Sequence, residues 1–329
     1  MNFIAKPKVP TREIRMNVLT AYNNKINVNN EGVKHGGYAR VLARRKANNI
    51  FSDKCKSLIS NCSVLKKILS IPSPIAICAY NNFLYIASST AEFTIIGRLN
   101  LLTNEFIPNW FQQEGNFSLF DLVANGNYLY TGIENQIIRI NITTGVSEIW
   151  IPDTEGLAYI FGLTIYNNDL YVININIVIG EYTSKISKIN LTTGSVLLDW
   201  YTSSTHFMVS MREYNNMLYI INYDANTITK YDLLTDEVIE DWIPVSAGLL
   251  APISLTIHNN IMYVSNFVSI SKINIITKQV QNNWVVIPTL YYMEVPFIML
   301  TNYTVDGNTK LYVSAFINGS VYSILIDTV

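Results

Sequence analysis

The sequence predicts an all-β fold, a six-bladed β-propeller of four-stranded blades, and three observations predict it. A phrase of the form Asn-Asn-x-Leu-Tyr recurs six times, placing Tyr85, Tyr130, Tyr171, Tyr219, Tyr263 and Tyr312 at spacings of 45, 41, 48, 44 and 49 residues. All five tryptophans, Trp110, Trp150, Trp200, Trp242 and Trp284, follow one of these tyrosines by 20 to 29 residues. Between them, turn-forming Asn-Asn and Thr-Gly pairs interrupt short runs rich in Ile, Val, Leu and Tyr. A period of this length with four strands per unit is that of a propeller blade.

The third unit shows the elements in order. YIFGLTIY is a first strand, Asn167-Asn168 a turn, and LYVINI a second strand. SKISKINL is a third, Thr193-Gly194 the next turn, and SVLLDWY a fourth. Asn and Gly suit tight turns because both tolerate positive φ. Strands with little polar alternation imply sheets covered on both faces, as in stacked blades. Recurrence in one slot assigns the tyrosines and tryptophans to blade packing. A linear solenoid is disfavoured because helix-forming stretches are negligible and the unit is too long for a β-helix coil.

The sixth unit stops one strand short at Val329. Upstream of the first unit, LKKILSIP (65–72) aligns with the fourth-strand segments SEIWIP and EDWIP, with Ser70 opposite their tryptophan. Residues 64–71 are therefore expected to supply the outer strand of the last blade, because an open ring would expose strand edges and apolar faces.

Repeats of this form, over residues 64–329, resemble the six-bladed propellers of the NHL, YWTD and SMP-30/gluconolactonase-like group. The enzymes of that group imply a divalent cation in the central channel, held by carboxylates and Asn of the innermost strands. Such a cation needs several oxygens converging on one point. The inner strands here offer Asp121, Glu213, His206 and Asn302 at unequal positions, with no repeated acidic slot. The expectation is a channel plugged by Met, Leu and Ile, with no metal, no cofactor and no catalytic residue. His258 falls in a turn slot and is expected to be exposed there; His206 opens an inner strand and would face the channel mouth. No nucleophile elbow, phosphate loop or dinucleotide fingerprint occurs. A metal-dependent hydrolase is thus the second reading, and a glycan-binding propeller using aromatic rims the third.

Charge divides the chain differently. Residues 1–60 hold 12 Lys/Arg against three acids, a balance of +9, and the remaining 269 hold 11 against 21, a balance of −10. A basic arm (1–62) followed by a mildly acidic propeller (63–329) is the expected organisation. Within the arm, YARVLARRKA has helix-forming residues, predicting a short amphipathic helix around 37–47. There Tyr38, Val41, Leu42 and Arg45 lie along one side while Arg40, Arg44 and Lys46 point elsewhere. Lys34, His35, Tyr38, Arg40, Arg44, Arg45 and Lys46 form a candidate attachment surface for nucleic-acid phosphates or an acidic protein. The alternative is a solvated helix covering the propeller's own acidic body.

Apolar residues make up 49% of the chain and charged ones 14%, which excludes global disorder. Three cysteines without CxxC spacing suggest neither a disulfide framework nor a zinc site, and a reducing compartment fits them. The N-terminal residues lack the apolar core of a signal peptide, and no apolar run is long enough to span a bilayer.

The phrase KHGGYARVLARRK resembles a basic leader of structural proteins of giant DNA viruses. That resemblance implies a virion component, with the arm tethering the propeller to other proteins of a larger assembly. The leading expectation is a non-enzymatic interaction or structural module, in a virion or intracellular.

Overall fold

The computed structural model describes residues 65–115, 117, 119–178, 181–203, 206–287, 298–316 and 319–328. They form six four-stranded antiparallel sheets. The first strand, β1 (Leu65–Ser70), stands apart in sequence from the sheet it joins. Blade 1 comprises β2 (Pro74–Tyr80), β3 (Phe83–Ser89), β4 (Phe93–Asn100) and β5 (Phe106–Glu114). Blade 2 comprises β6 (Leu122–Asn125), β7 (Tyr128–Ile133), β8 (Gln136–Asn141) and β9 (Ser147–Ile151). Blade 3 comprises β10 (Tyr159–Tyr166), β11 (Asp169–Val178), β12 (Glu181–Asn190) and β13 (Val196–Thr202). Blade 4 comprises β14 (Met208–Tyr214), β15 (Met217–Asn222), β16 (Thr227–Asp232) and β17 (Val238–Ile243). Blade 5 comprises β18 (Ser254–His258), β19 (Ile261–Ser265), β20 (Ser269–Asn274) and β21 (Val280–Val286). Blade 6 comprises β22 (Ile298–Val305), β23 (Asn308–Ala315) and β24 (Ser320–Thr328), with β1 as its outer strand.

The inner strands touch in sequence, β2 to β6 to β10 to β14 to β18 to β22, and β22 returns to β2. The ring is therefore closed. Its core lies in the seams between blades. One cluster joins Tyr85 and Ile96 of blade 1 to Leu122 and Leu129 of blade 2, and another joins Ile173 and Ile186 of blade 3 to Met211 and Leu218 of blade 4. Among the described residues, no helix is long and apolar enough to cross a membrane.

Turn chemistry explains the strand boundaries. In blades 1, 4 and 5 both residues of the Asn-Asn turn have positive φ, from 46° to 63°, as a primed hairpin turn demands. The Thr-Gly turn is wider than the tight hairpin that the sequence suggests. The amides of Gly145 and Gly194 donate to Asn141 and Asn190 four residues earlier, at 2.8 Å each. The side-chain oxygens of those asparagines accept two further amides, as do Asn100, Asp232 and Asn274 in their blades. An Asx residue thus nucleates each turn, and the last residue adopts positive φ whether it is Gly145, Gly194, Asn104, Asp236 or Lys278.

Tryptophan occupies the bulge of each outer strand that carries one. Trp110, Trp150, Trp200, Trp242 and Trp284 pack on the tyrosine of their own blade at ring separations of 5.1–5.3 Å. Directly across the strand from that tyrosine stands a cation: Arg98, Arg139, Lys188, Lys230 and Lys272 in blades 1 to 5. Arg98, Arg139 and Lys272 lie over the tryptophan ring as well, at 5.2–5.8 Å. Such stacking adds roughly 0.5–1 kcal/mol per exposed pair.

Pairing of β1 with β24 closes the ring as the sequence predicts, with Leu65 opposite Ile324 and Ser70 opposite Ser320. The expected alignment of Ser70 with tryptophan is corrected by two residues. In blade 2 the bulge leaves Trp150 unpaired just before Ile151, whose partner is Ile137. In blade 6 the equivalent bulge leaves Ile68 unpaired just before Leu69, whose partner is Val321. Ile68 is the residue in the tryptophan slot. Beyond the strand, Ile71 is buried and its amide donates to Gly319 at 2.9 Å. Gly319 has φ +57°, and a Cβ there would sit 3.0 Å from the Ile71 carbonyl oxygen.

Two perturbations test the closure by thermal or urea denaturation. Deleting residues 60–72 is expected to lower the melting temperature sharply, and an unchanged value would refute the fastening role of β1. Ile71→Ala is expected to cost about 2–4 kcal/mol, the usual range for emptying a buried Ile site.

Candidate functional site

Inner strands bring side chains of different blades to the middle of the ring, where the four sequence candidates belong. Asp121 lies just before β6 and is the single buried carboxylate among the described residues. It accepts the amides of Leu122 (2.9 Å) and Leu163 (3.0 Å) and the two terminal nitrogens of the Arg212 guanidinium, Nη1 and Nη2, at 2.8 and 2.9 Å. Arg212 also donates to the carbonyls of Leu163 and Met211, both at 2.8 Å. A bidentate pair with its remaining valences filled is the geometry in which a buried charge pair is tolerated.

Arg212 belongs to blade 4 and Asp121 to blade 2, so the pair reaches across blade 3. Between them, Gly162 on β10 lets that strand lie close to the backbone of β14. A Cβ there would lie 3.2 Å from Ser210 Cα, 3.3 Å from the Val209 carbonyl oxygen and 3.0 Å from Ile173. Cys78, on β2, is buried near the same pair, with a backbone hydrogen bond from Ala124. Burial pushes its thiol up to about 12, with Arg212 pulling the other way. It is a packed thiol and not a nucleophile at neutral pH.

The other candidates are held elsewhere. Burial raises the pKa of Glu213, opposed by the Asn216 amide that its carboxylate accepts at 2.9 Å, and its own amide donates to Thr164 at 3.2 Å. Asn302 donates to Thr256 Oγ1 (2.5 Å) and the Ile257 carbonyl (3.0 Å), tying blade 6 to blade 5. His206, expected at the channel mouth, has Nε2 3.3 Å from Asp241 of the outer strand β17. His258 is the last residue of β18 and pairs with Asp327 of β24 at 3.2 Å, bridging two blades rather than hanging free in a turn. Asp121, Glu213, His206 and Asn302 are therefore not brought together. A hard cation requires converging oxygens, and both Asp121 oxygens are occupied by Arg212 and amides. Among the described residues no group of three or more His, Cys, Asp or Glu is placed to hold a metal ion.

Two features of the inner strands escaped the sequence reading. The position across from the repeat tyrosine is threonine in three blades, Thr164, Thr256 and Thr301. Thr301 accepts the Ala79 amide at 3.4 Å, joining blade 6 to blade 1, just as Thr164 and Thr256 join their neighbours. The slot carries a hydroxyl and not an acid, and only register against the tyrosines would have revealed it. Phe120 and Phe161 stack at 4.3 Å with planes 6° apart, and Phe207 meets Phe161 edge-on at 6.3 Å. These rings, from blades 2 to 4, are half-buried, and they share no sequence motif.

The arm residues Lys34, His35, Tyr38, Arg40, Arg44, Arg45 and Lys46, with the helix expected around 37–47, lie outside the described residues.

No family model matches the chain, and no curated protein matches it. Solved structures do resemble it. A streptogramin B lyase is 14% identical with a TM-score of 0.52, the match covering 80% of this chain and 97% of that one. A virginiamycin B lyase from Staphylococcus aureus is 13% identical with a TM-score of 0.54, covering 80% and 99%. A nidogen/laminin complex contains a chain 14% identical with a TM-score of 0.54, covering 65% and 81%. At these identities the likeness establishes the six-bladed propeller fold and no activity.

Asp121→Ala leaves a buried guanidinium unpaired and is expected to cost about 3–5 kcal/mol in urea denaturation. Replacing both partners, as in D121L/R212M, should recover most of that loss; a double variant as unstable as the single would show that the pair does not act as a unit. In the folded protein at pH 8, Cys78 is expected to resist alkylation, and peptide mass spectrometry should find it modified only after unfolding.

Proposed function

We propose that this propeller is a non-enzymatic interaction or structural module, anchored through its basic N-terminal arm to a larger assembly. The observation that supports this most is the Asp121–Arg212 pair. The one buried carboxylate among the described inner-strand residues binds three blades together, where a hydrolase of this architecture would need it free for a cation or a proton. The Glu213 carboxylate accepts the Asn216 amide of its own blade, and the Asn302 side chain is tied to blade 5 through Thr256.

Charge supports the anchoring role. The +9 balance of residues 1–60 against −10 in the remainder favours an acidic surface as the arm's target. The resemblance of its Lys-His-Gly-Gly-Tyr stretch to the leaders of giant-virus structural proteins favours an assembly such as a virion. The runner-up, a metal-dependent hydrolase, would require Asp121 to release Arg212.

Co-purification of the full chain and of R40E/R44E/R45E from the native source tests the anchor. The triple variant should lose its partners at physiological salt, and wild-type capture should fall steeply as salt rises. If the partner is nucleic acid, log K against log salt should have a slope near −0.9 for each phosphate neutralised, flatter in the variant. Equal capture of both proteins would remove the arm from the mechanism, and a stoichiometric tightly bound Ca²⁺ would move the conclusion to the hydrolase.

A further inference from the structure

Strand direction sorts the loops of the ring into two ends. Each sheet is antiparallel from its inner to its outer strand, so the inner and outer hairpin turns of every blade lie at one end. The middle turn and the connection to the next blade lie at the other. Positive charge is divided unevenly between them. Of the 11 Lys and Arg in residues 64–329, ten lie within strands and the last, Lys278, in an outer turn. Among the described residues, the middle turns and connections therefore hold no Lys or Arg. They do hold exposed acids: Glu92, Glu134 and Asp224 in middle turns, Asp153 and Glu155 in a connection, and Glu114 where β5 runs into one. The histidine of this end, His206, faces Asp241 at 3.3 Å.

The stacked rings of Phe120, Phe161 and Phe207 belong to the same end. Phe120 and Phe207 lie in connections, and Phe161 is the third residue of β10, which starts there. All three are partly exposed. Two of the acids stand beside them. Asp224 accepts the Phe207 amide at 2.9 Å, and the Glu134 carbonyl accepts the amide of Ile160, next to Phe161, at 3.3 Å. Val245 and Leu250, in the connection from blade 4 to blade 5, are 63% and 64% exposed. Aromatic faces and carboxylates attract the same kind of ligand, a cation, and the aliphatic side chains add apolar contact.

We propose that this end of the propeller is a docking surface for a Lys/Arg-rich segment of another protein. Its cationic groups meet Glu134 and Asp224 and lie over the phenylalanine rings. Charge complementarity selects this partner: a phosphate backbone or an acidic protein meets carboxylates with no Lys or Arg among them to answer it. Breadth selects a chain over a small cation, because the acids come from blades 1 to 4 and the rings from blades 2 to 4. The surface is distinct from the N-terminal arm, whose charge has the opposite sign, and the proposal does not rest on the arm's anchoring role.

A fluorescein-labelled peptide of about eight residues, arginines with a central pair of leucines, is the probe, titrated by anisotropy into the full-length protein at ~0.15 M salt. Wild type should bind it saturably at one site per chain. E134Q/D224N keeps the hydrogen-bond acceptor for Phe207 and should weaken binding at least about fivefold. Phe161→Leu keeps an apolar side chain but removes the π face, and should weaken it about threefold. E105Q/E237Q removes exposed acids from outer turns at the opposite end and should leave the affinity unchanged. Thermal melts verify that each variant is folded. Equal losses from E105Q/E237Q and E134Q/D224N would reveal attraction to overall charge alone and overturn the proposal. So would the absence of saturation, or wild-type affinity in Phe161→Leu. Self-association of the protein without peptide, abolished by E134Q/D224N, would overturn the assignment in favour of a second copy of this chain.

Discussion

Everything in this fold depends on the antiparallel pairing of β1 with β24. A row of blades built only from consecutive strands would end in an unpaired sheet edge and two bare apolar faces. Pairing Leu65 with Ile324 satisfies that edge and, by holding blade 6 against blade 1, buries both faces at once. Seam clusters, inner-strand hydrogen bonds and the Asp121–Arg212 pair all presuppose that the circle is complete. Local propensity supplies the hairpins; closure makes them one object.

Much of this was legible because it repeats. The tyrosine and tryptophan slots, the asparagine turns and the need for a strand from 64–71 follow from residues that recur at fixed offsets. What stayed hidden was singular or long-range. Asp121 and Arg212 are 91 residues apart and occupy no repeated slot, so no periodicity could join them. Register at the closure was misread because the Ile-Pro that ends LKKILSIP imitates the Ile-Pro of blade 2. A bulge, invisible to sequence alignment, moves the tryptophan-equivalent position from Ser70 to Ile68. The threonine slot stayed hidden for a third reason: it is filled in only three of six blades, and it is defined by register against the tyrosines rather than by a motif.

Departures from the repeat therefore carry the information about use. Five blades are interchangeable in their outer packing, and the sixth differs at Ile68 and at Ser323, which stands across from Tyr312 where the others have a cation. In the middle of the ring, Asp121, Gly162 and Arg212 make blades 2 to 4 unlike the rest. The arginine neutralises the aspartate across blade 3, and the glycine lets β10 approach the backbone of Val209 and Ser210. Both asymmetries arise where two blades must agree with each other rather than with the consensus, which is also where a ring of identical wedges has the least freedom.

Strand order has a consequence for how the chain is made. Leu65 and Ile324 are separated by 259 positions, and at ordinary translation rates that distance corresponds to roughly ten to fifty seconds. For that interval β1 has been synthesised and its partner has not. A bare β-strand waiting so long is an invitation to aggregate, yet this one carries Lys66 and Lys67 at consecutive positions, and both remain solvent-exposed in the finished ring. Lysines on an outer strand are the usual means by which unpaired strand edges are kept from pairing with other chains.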